Sequence, residues 1–172
     1  MTTIGVDVGL GGAMAFYDHA NGILEIRDMP VYKITVNKTK RNRVDDVELL
    51  TYFELAKLKG ADLVVIEQLW ERPGDRGMFA MGMCAGLVRM ACIAAKIPVE
   101  EIPPQTWKAL LRVPGKRSGK EPDEAIIERA DDLLPTHRDK WRGPRGGRLL
   151  DRAEAAMLGY YGETIAHKEQ KG

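Results

Sequence analysis

The sequence predicts an α/β protein built around one central mixed sheet. Three short strand-like segments come first, followed by a helix, a strand, a helix, a strand and further helices. Short turns between the first three segments favour an antiparallel meander, whereas strands that alternate with helices are typical of parallel βαβ units. The chain has 172 residues, 44% of them hydrophobic and 30% charged. That length suits one domain with a real core and is too short for two, so we expect a single domain over residues 1–172.

The N-terminal half supplies four of the five expected strands. We assign its elements as strands 3–8, 13–18, 23–29 and 62–70, a helix from Asp45 or Asp46 to about Lys59, and a loop or irregular edge over 33–43. An Asp is a favoured N-cap, and Gly60 is a favoured residue at which to end the helix. The run DLVVIEQLW is continuously apolar, as expected of a central strand that is covered on both faces.

The C-terminal half supplies the last strand and most of the helices. We assign its elements as helix 77–96, a short strand in 97–104, a helix beginning at 105, a basic loop up to 121, a helix from Pro122 to about Leu134, a basic loop over 136–148 and a final helix over 149–166. Pro at the first helical position and acids in the first turn both favour the helix at Pro122. The tail from about residue 165 is predicted to fray.

Basic residues are concentrated in three segments although the net charge is only +1. Fifteen of the 26 Lys and Arg lie in residues 33–43, 108–120 and 137–148, and Asp139 is the one acid among them. Such segregation suggests basic surfaces that face a polyanion such as nucleic acid. The alternative is that these segments are solvated loops whose charge only maintains solubility.

The cysteines and the apolar segments indicate a reducing cytosol. Cys84 and Cys92 lie in one apolar helix and form no disulfide framework or zinc-binding spacing. The same helix is interrupted by Arg89, which makes a membrane span unfavourable. The chain enters a strand directly, without the pattern of a signal peptide. We therefore expect a cytoplasmic protein with no membrane partner.

Four acids lie in apolar contexts where an unpaired carboxylate is costly. Asp7 lies within the first strand, Glu67 ends the fourth, and Asp151 and Glu154 are three residues apart on the last helix. If the first and fourth strands are neighbours, all four acids converge, with no compensating base nearby. Such a set of oxygen ligands suits Mg²⁺ or Mn²⁺, and two ions about 4 Å apart catalyse phosphoryl transfer. Taken singly, Glu67 or the helical pair is equally well explained as surface charge.

Three motifs in this order resemble those of the RuvC-like Holliday-junction resolvases, which belong to the RNase H-like superfamily. They are IGVDVGLGG, VVIEQLW and LLDRAEAAMLGYY, and the resemblance, strongest to the phage-encoded members, covers about residues 3–162. The segment EEIPPQTWKALL is similar to the family's proline–Trp–Lys segment, and the basic loop after it to the junction-contacting region. The resemblance implies an RNase H-like fold with a five-stranded mixed sheet flanked by helices.

The resemblance also implies a metal site. Asp7 matches the acid that bridges two metal ions, Glu67 the central-strand acid, and Asp151 and Glu154 the two acids of the last helix. The cofactor implied is two Mg²⁺ ions, for which Mn²⁺ substitutes. Bacterial members usually have Asp where this chain has Glu154, which changes the length of that ligand.

The resemblance assigns DNA contacts to aromatic and basic residues. Trp70 matches an aromatic that stacks on an unpaired base, and ordinary packing is the alternative. Lys120, with Lys116 as second choice, matches the basic group near the scissile phosphate. Lys108 either contacts a phosphate or only follows Trp107 on a helix surface. The full set of expected DNA-binding residues is Trp70, Lys108, Lys116, Arg117, Lys120, Arg142 and Arg145.

The function implied is a structure-selective endonuclease that resolves four-way junctions. The enzyme would bind branched DNA as a homodimer through helix 77–96, in a bacterial cell or a phage-infected host, and hydrolyse one phosphodiester in each of two strands, leaving 5′-phosphates. Alternatives are a related nuclease acting on forks, flaps or RNA-containing substrates, and a catalytically inactive junction-binding module, which the four acids disfavour. DVGLGG also resembles the phosphate loop of actin-like ATPases, but this chain has one lobe and no second such loop.

Overall fold

The computed structural model describes all residues except 71–76, 116–118, 120 and 170–172. Its strands are β1 Thr2–Asp7, β2 Ala13–Asp18, β3 Ile23–Asp28, β4 Val31–Val36, β5 Thr39–Val44, β6 Leu63–Glu67 and β7 Val99–Ile102. Its α-helices are α1 Asp46–Leu58, α2 Met78–Ala94, α3 Pro104–Leu110, α4 Pro122–Leu133 and α5 Leu150–Glu169, and Pro135–Trp141 forms a 3-10 helix.

The central sheet has five strands in the order β3-β2-β1-β6-β7. The pairs β3–β2 and β2–β1 are antiparallel, and β1–β6 and β6–β7 are parallel. The predicted meander with added parallel strands is therefore confirmed. Since β1, β3 and β6 run in the same direction, Asp7, Asp28 and Glu67 all lie where their strands end, at one edge of the sheet. We call this edge the carboxyl edge.

Helices cover both faces of the sheet. Alternate residues of β1 point to opposite sides. Ile4 and Val6 join a core formed with α1 and α2, whose buried members include Phe53 and Val88. On the other face, the core is formed by α3, α4, α5 and the 3-10 helix; its largest fully buried side chains are Trp107 and Trp141. Burial on both faces explains why β6 reads as a continuous apolar run.

The expected helix α1 is present with the expected N-cap. The Asp45 side chain accepts a hydrogen bond from the backbone N–H of Glu48. Gly60, at φ +88°, follows the helix and donates its N–H to the Lys57 carbonyl. Leu58 is 83% exposed because it lies nine residues after the buried Leu49, about 180° away around the helix.

The expected loop or irregular edge over 33–43 is instead a β-hairpin, formed by β4 and β5. Asn37 and Lys38 occupy the turn at φ 49° and 62°, as a two-residue hairpin turn requires. The prediction failed because β5 is almost entirely polar and exposed, so the alternation of Tyr32, Ile34 and Val36 in β4 had no matching partner. The expected loop over 136–148 also differs, because the 3-10 helix extends into it to bury Trp141.

The cysteines are placed as expected. Cys84 and Cys92 are free thiols buried in the core beside the sheet. Within the described residues, none of the helices combines the length and the apolar character that a membrane span requires.

Candidate active site

Asp7 and Glu67 lie side by side on the α5 face of the sheet. Val6 pairs with Ile66 across β1 and β6, so the next residues, Asp7 and Glu67, are neighbours at the carboxyl edge. Alternation along β1 places Asp7 on the same face as Gly5, which α5 covers. The convergence of these two acids follows directly from the parallel pairing of β1 with β6.

Helix α5 lies against β1 so closely that the backbones touch. A Cβ on Gly5 would lie 2.0 Å from the Ala155 carbonyl oxygen and 2.2 Å from the Gly159 backbone nitrogen. The first turn of the helix is anchored by Arg152, whose Nε and Nη2 each donate a 2.6 Å hydrogen bond to the Asp28 carboxylate. This placement brings Asp151 and Glu154 to the carboxyl edge.

The four carboxyl groups interact strongly. Burial raises the pKa of Asp7 to about 8, with further contributions from the negative charges of Glu154, Asp151 and Glu67 and from a hydrogen bond with Asp151. Burial also raises the pKa of Glu154, and Glu67 adds to that rise, whereas Lys108 opposes it. Because negative charge is costly here, the site favours either a proton or a cation.

A base lies among the acids, contrary to expectation. Lys108 Nζ lies 3.3 Å from Glu154 Oε1 and 3.9 Å from Glu67 Oε2. The neighbouring Trp107, fully buried, donates its indole N–H to Glu67 Oε2 at 2.8 Å. Lys108 is therefore ion-paired with the acids, and its contact with a phosphate stays a prediction. Helix α3 brings both side chains to the site, and the adjacent pair Trp-Lys was the sequence signal for this.

The residues fit a hard divalent cation by their chemistry, though not by their present positions. All four acids offer oxygen ligands, and the raised pKa of Asp7 records unbalanced negative charge. In the described part of the chain, no three or more His, Cys, Asp or Glu side chains come together closely enough to hold a metal ion. Lys108 explains part of this arrangement, because it draws Glu154 and Glu67 towards its own ammonium group.

A cleft of about 110 Å³ opens beside the acids. Its lining includes Asp7, Glu67, Trp70 and Pro104, and Met78 and Met81 from the start of α2. Trp70 is 56% exposed. This exposure is at odds with core packing of its ring, and Trp70 lines the cleft beside the carboxyl groups.

The other expected DNA-binding residues are distributed unevenly. Lys116, Arg117 and Lys120 lie outside the described residues. Arg145 is exposed. Arg142 is partly buried and forms an ion pair with Asp131, the carboxylate that also accepts a hydrogen bond from Trp141, so it has a structural partner.

The fold of this chain is similar to that of solved RuvC structures. Thermus thermophilus RuvC matches with a TM-score of 0.57 at 17% identity, over 96% of this chain and 97% of that one. The same protein "in complex with Holliday junction substrate" gives 0.55 at 14% identity, over 95% and 96% of the two chains. The chain has the RuvC fold.

A eukaryotic structure supports the same conclusion. Ydc2, the yeast mitochondrial Holliday junction resolvase, matches with a TM-score of 0.53 at 13% identity, over 98% of this chain and 81% of that one. The sequence itself matches no known family profile and no curated protein. The RuvC-like, RNase H-like fold expected from the three motifs is thus confirmed in three dimensions.

Proposed function

We propose that this chain is a metal-dependent endonuclease that resolves four-way DNA junctions. The observation that carries the proposal is the convergence of Asp7, Glu67, Asp151 and Glu154 at the carboxyl edge of a RuvC fold. The structures that share this fold include one RuvC bound to a Holliday junction and one mitochondrial Holliday junction resolvase. Nucleases that hydrolyse phosphodiesters commonly use such carboxylate sites with two divalent ions.

The four acids would hold the cofactor, which we propose to be two Mg²⁺ ions that Mn²⁺ can replace. When bound, the metal supplies Lewis-acid activation of water and charge stabilisation at the leaving 3′-oxygen. Asp7 is central to this ligand set, since the charges of the other three acids all raise its pKa. Glu154 reaches the site with a longer side chain than Asp and presently contacts Lys108.

The protein's own groups would orient the DNA. Trp70, exposed at the cleft, stacks on an unpaired base at the crossover, an interaction worth about 1–3 kcal/mol. Lys108 places its ammonium group beside the acids, where it contacts Glu154. When DNA enters, this ammonium group leaves Glu154 and contacts the scissile phosphate. Lys120 or Lys116 adds a second positive charge there, and Arg145 binds the DNA backbone. The products carry 5′-phosphates.

We further propose a homodimer formed through α2. The exposed side of this helix presents large apolar side chains at helical spacing: Phe79, Met83, Met90 and Ile93. Leaving such a stripe in water is unfavourable, and a second copy would bury it. A two-fold dimer places two active sites for two symmetric nicks in a junction that is itself close to two-fold symmetric.

The proposal is tested by cleavage of a labelled synthetic four-way junction, with and without Mg²⁺, beside linear duplex, flap and RNA–DNA hybrid substrates. We expect paired symmetric nicks in the junction that require Mg²⁺. Asp7→Asn should abolish cutting and retain junction binding. Glu54→Gln, which removes an exposed carboxylate on α1, is the matched control and should cut normally.

Other outcomes would change the assignment in defined ways. Metal-dependent cutting of the hybrid or the flap in place of the junction would retain the site and replace the substrate. Asp7→Asn cutting at the wild-type rate would refute the role of the carboxyl cluster. Absence of any metal-dependent cutting, together with tight ATP binding, would support the actin-like alternative.

A further inference from the structure

The β4–β5 hairpin is an arm that the rest of the fold does not require. Its two strands pair with each other as a separate two-stranded sheet and make few contacts with other elements. Val44 and Met29, at its root, join the core, but most of the remaining hairpin residues are exposed. An isolated two-stranded hairpin is only marginally stable in water. An exposed arm that adds little to the core is therefore a candidate binding element.

The arm projects from the same edge of the sheet as the candidate active site. Asp7 pairs with Ala13, and Ala13 pairs with Asp28, so these residues form one row across β1, β2 and β3. Since neighbouring strands are about 4.8 Å apart, Asp28 lies roughly 10 Å from Asp7. Strand β4 begins three residues later, at Val31. Six residues per strand make the arm about 20 Å long.

The two faces of the arm differ in chemistry. Tyr32, Ile34 and Val36 point towards α2 and, with Arg41 and Arg43, line a groove of about 380 Å³ between the arm and that helix. The opposite face, which we call the outer face, carries Lys33, Thr35, Lys40 and Asn42. All four outer-face side chains are exposed hydrogen-bond donors.

The charge of the arm is uncompensated. Its five basic residues are Lys33, Lys38, Lys40, Arg41 and Arg43, and among the described residues none of them forms an ion pair. Lys33 and Lys40 occupy diagonal positions of the antiparallel pair, about 7–8 Å apart on the outer face. Lys, Thr and Asn are residues that typically contact DNA phosphates.

We propose that the outer face of the β4–β5 hairpin binds the phosphate backbone of a duplex DNA arm as it leaves the active site. This inference rests on the proposed nuclease function and adds to it a second, separate DNA-binding element. The root of the arm lies roughly 10 Å from Asp7 and the arm is about 20 Å long, so its tip lies no more than about 30 Å from Asp7. At about 3.4 Å per base pair, the contact falls within about nine base pairs of the cut.

The test compares two charge-matched double variants, both in the Asp7→Asn background so that bound DNA stays intact. Lys33→Gln/Lys40→Gln removes two charges from the outer face. Lys57→Gln/Lys96→Gln removes two exposed charges from the opposite edge, where α1 and α2 end. Affinities for a four-way junction and for a linear duplex are measured from 50 to 200 mM salt, and thermal melting checks that both variants fold.

Each phosphate contact contributes about 0.9 to the slope of log K against log [salt]. The outer-face variant should therefore lose about 1.8 from that slope on both DNAs, and the control should keep it. Hydroxyl-radical protection on the duplex arm within about nine base pairs of the cut should disappear only in the outer-face variant.

Three results would overturn the inference: an unchanged slope in the outer-face variant, equal losses in the two variants, or loss of dimerisation in place of DNA affinity. Failure of the nuclease proposal is recognised separately, because the unmodified chain would then cut no junction. The slope of log K against log [salt] for linear duplex would still report whether the arm binds DNA.

Discussion

The closeness of α5 to β1 gives the sharpest test of how the site is held together, through Gly5→Ala. The new Cβ would lie 2.0 Å from the Ala155 carbonyl oxygen. Non-bonded carbon and oxygen atoms need about 3.3 Å, so the helix must move by about 1.3 Å. Both sides of this contact are backbone, and no side-chain rotation relieves it.

Two quantities should change together. Overpacking costs about 1–3 kcal/mol, and with backbone on both sides we expect the upper end. For a chain of this size, about 3 kcal/mol corresponds to a melting temperature lower by about 6–12 °C. Helix α5 also carries Asp151 and Glu154, and a displacement of about 1 Å in a catalytic group costs about 100-fold in rate.

The assay is single-turnover cleavage of a four-way junction in Mg²⁺, below the melting temperature of every variant, together with thermal melting. Gly9→Ala is the matched control, because its new Cβ would meet no atom nearer than the Gly12 backbone nitrogen at 3.9 Å. The control should cut and melt like the unmodified chain. If Gly5→Ala cut within threefold of the unmodified rate and kept its melting temperature, the contact between α5 and β1 would not position the acids.

Three further predictions concern single side chains. The pKa of Asp7 is raised from 3.8 to about 8, so in EDTA this residue should destabilise the fold increasingly as pH rises through that interval. Asp7→Asn should therefore have a higher melting temperature than the unmodified chain, by a margin that grows with pH and is absent near pH 3. Trp70→Ala should slow junction cutting by about 10-fold or more without lowering the melting temperature, since its ring is largely exposed; an unchanged rate would remove Trp70 from the DNA contacts. Thr3→Val removes two hydrogen bonds of the Thr3 hydroxyl, the one it donates to the Gly159 carbonyl at 2.5 Å and the one it shares with His19 Nε2 at 2.8 Å, and denaturant unfolding should show a loss of about 1–3 kcal/mol; a neutral result would mean that neither bond stabilises the fold.

The order and type of most elements could be read from local sequence patterns. Short strand-like segments joined by short turns marked β1 to β3, a continuous apolar run marked β6, an Asp N-cap marked α1, and Pro at the first helical position marked α4. The hairpin was missed because β5 is almost entirely polar, so the alternation of Tyr32, Ile34 and Val36 in β4 had no matching partner strand in the sequence pattern.

The four acids were identifiable from the sequence alone, because a carboxylate in an apolar strand is costly enough to need an explanation. That Asp7 and Glu67 meet follows from one further assumption, the pairing of β1 with β6. Neither periodicity nor spacing could reveal that Lys108 lies between Glu154 and Glu67, or that Trp107 holds Glu67. Those contacts depend on how α3 packs against α5 and the sheet, and packing between elements some 40 residues apart is a property of the tertiary structure. The sequence by itself determined which acids, bases and aromatic side chains are present, and the tertiary structure decided which of them contact one another.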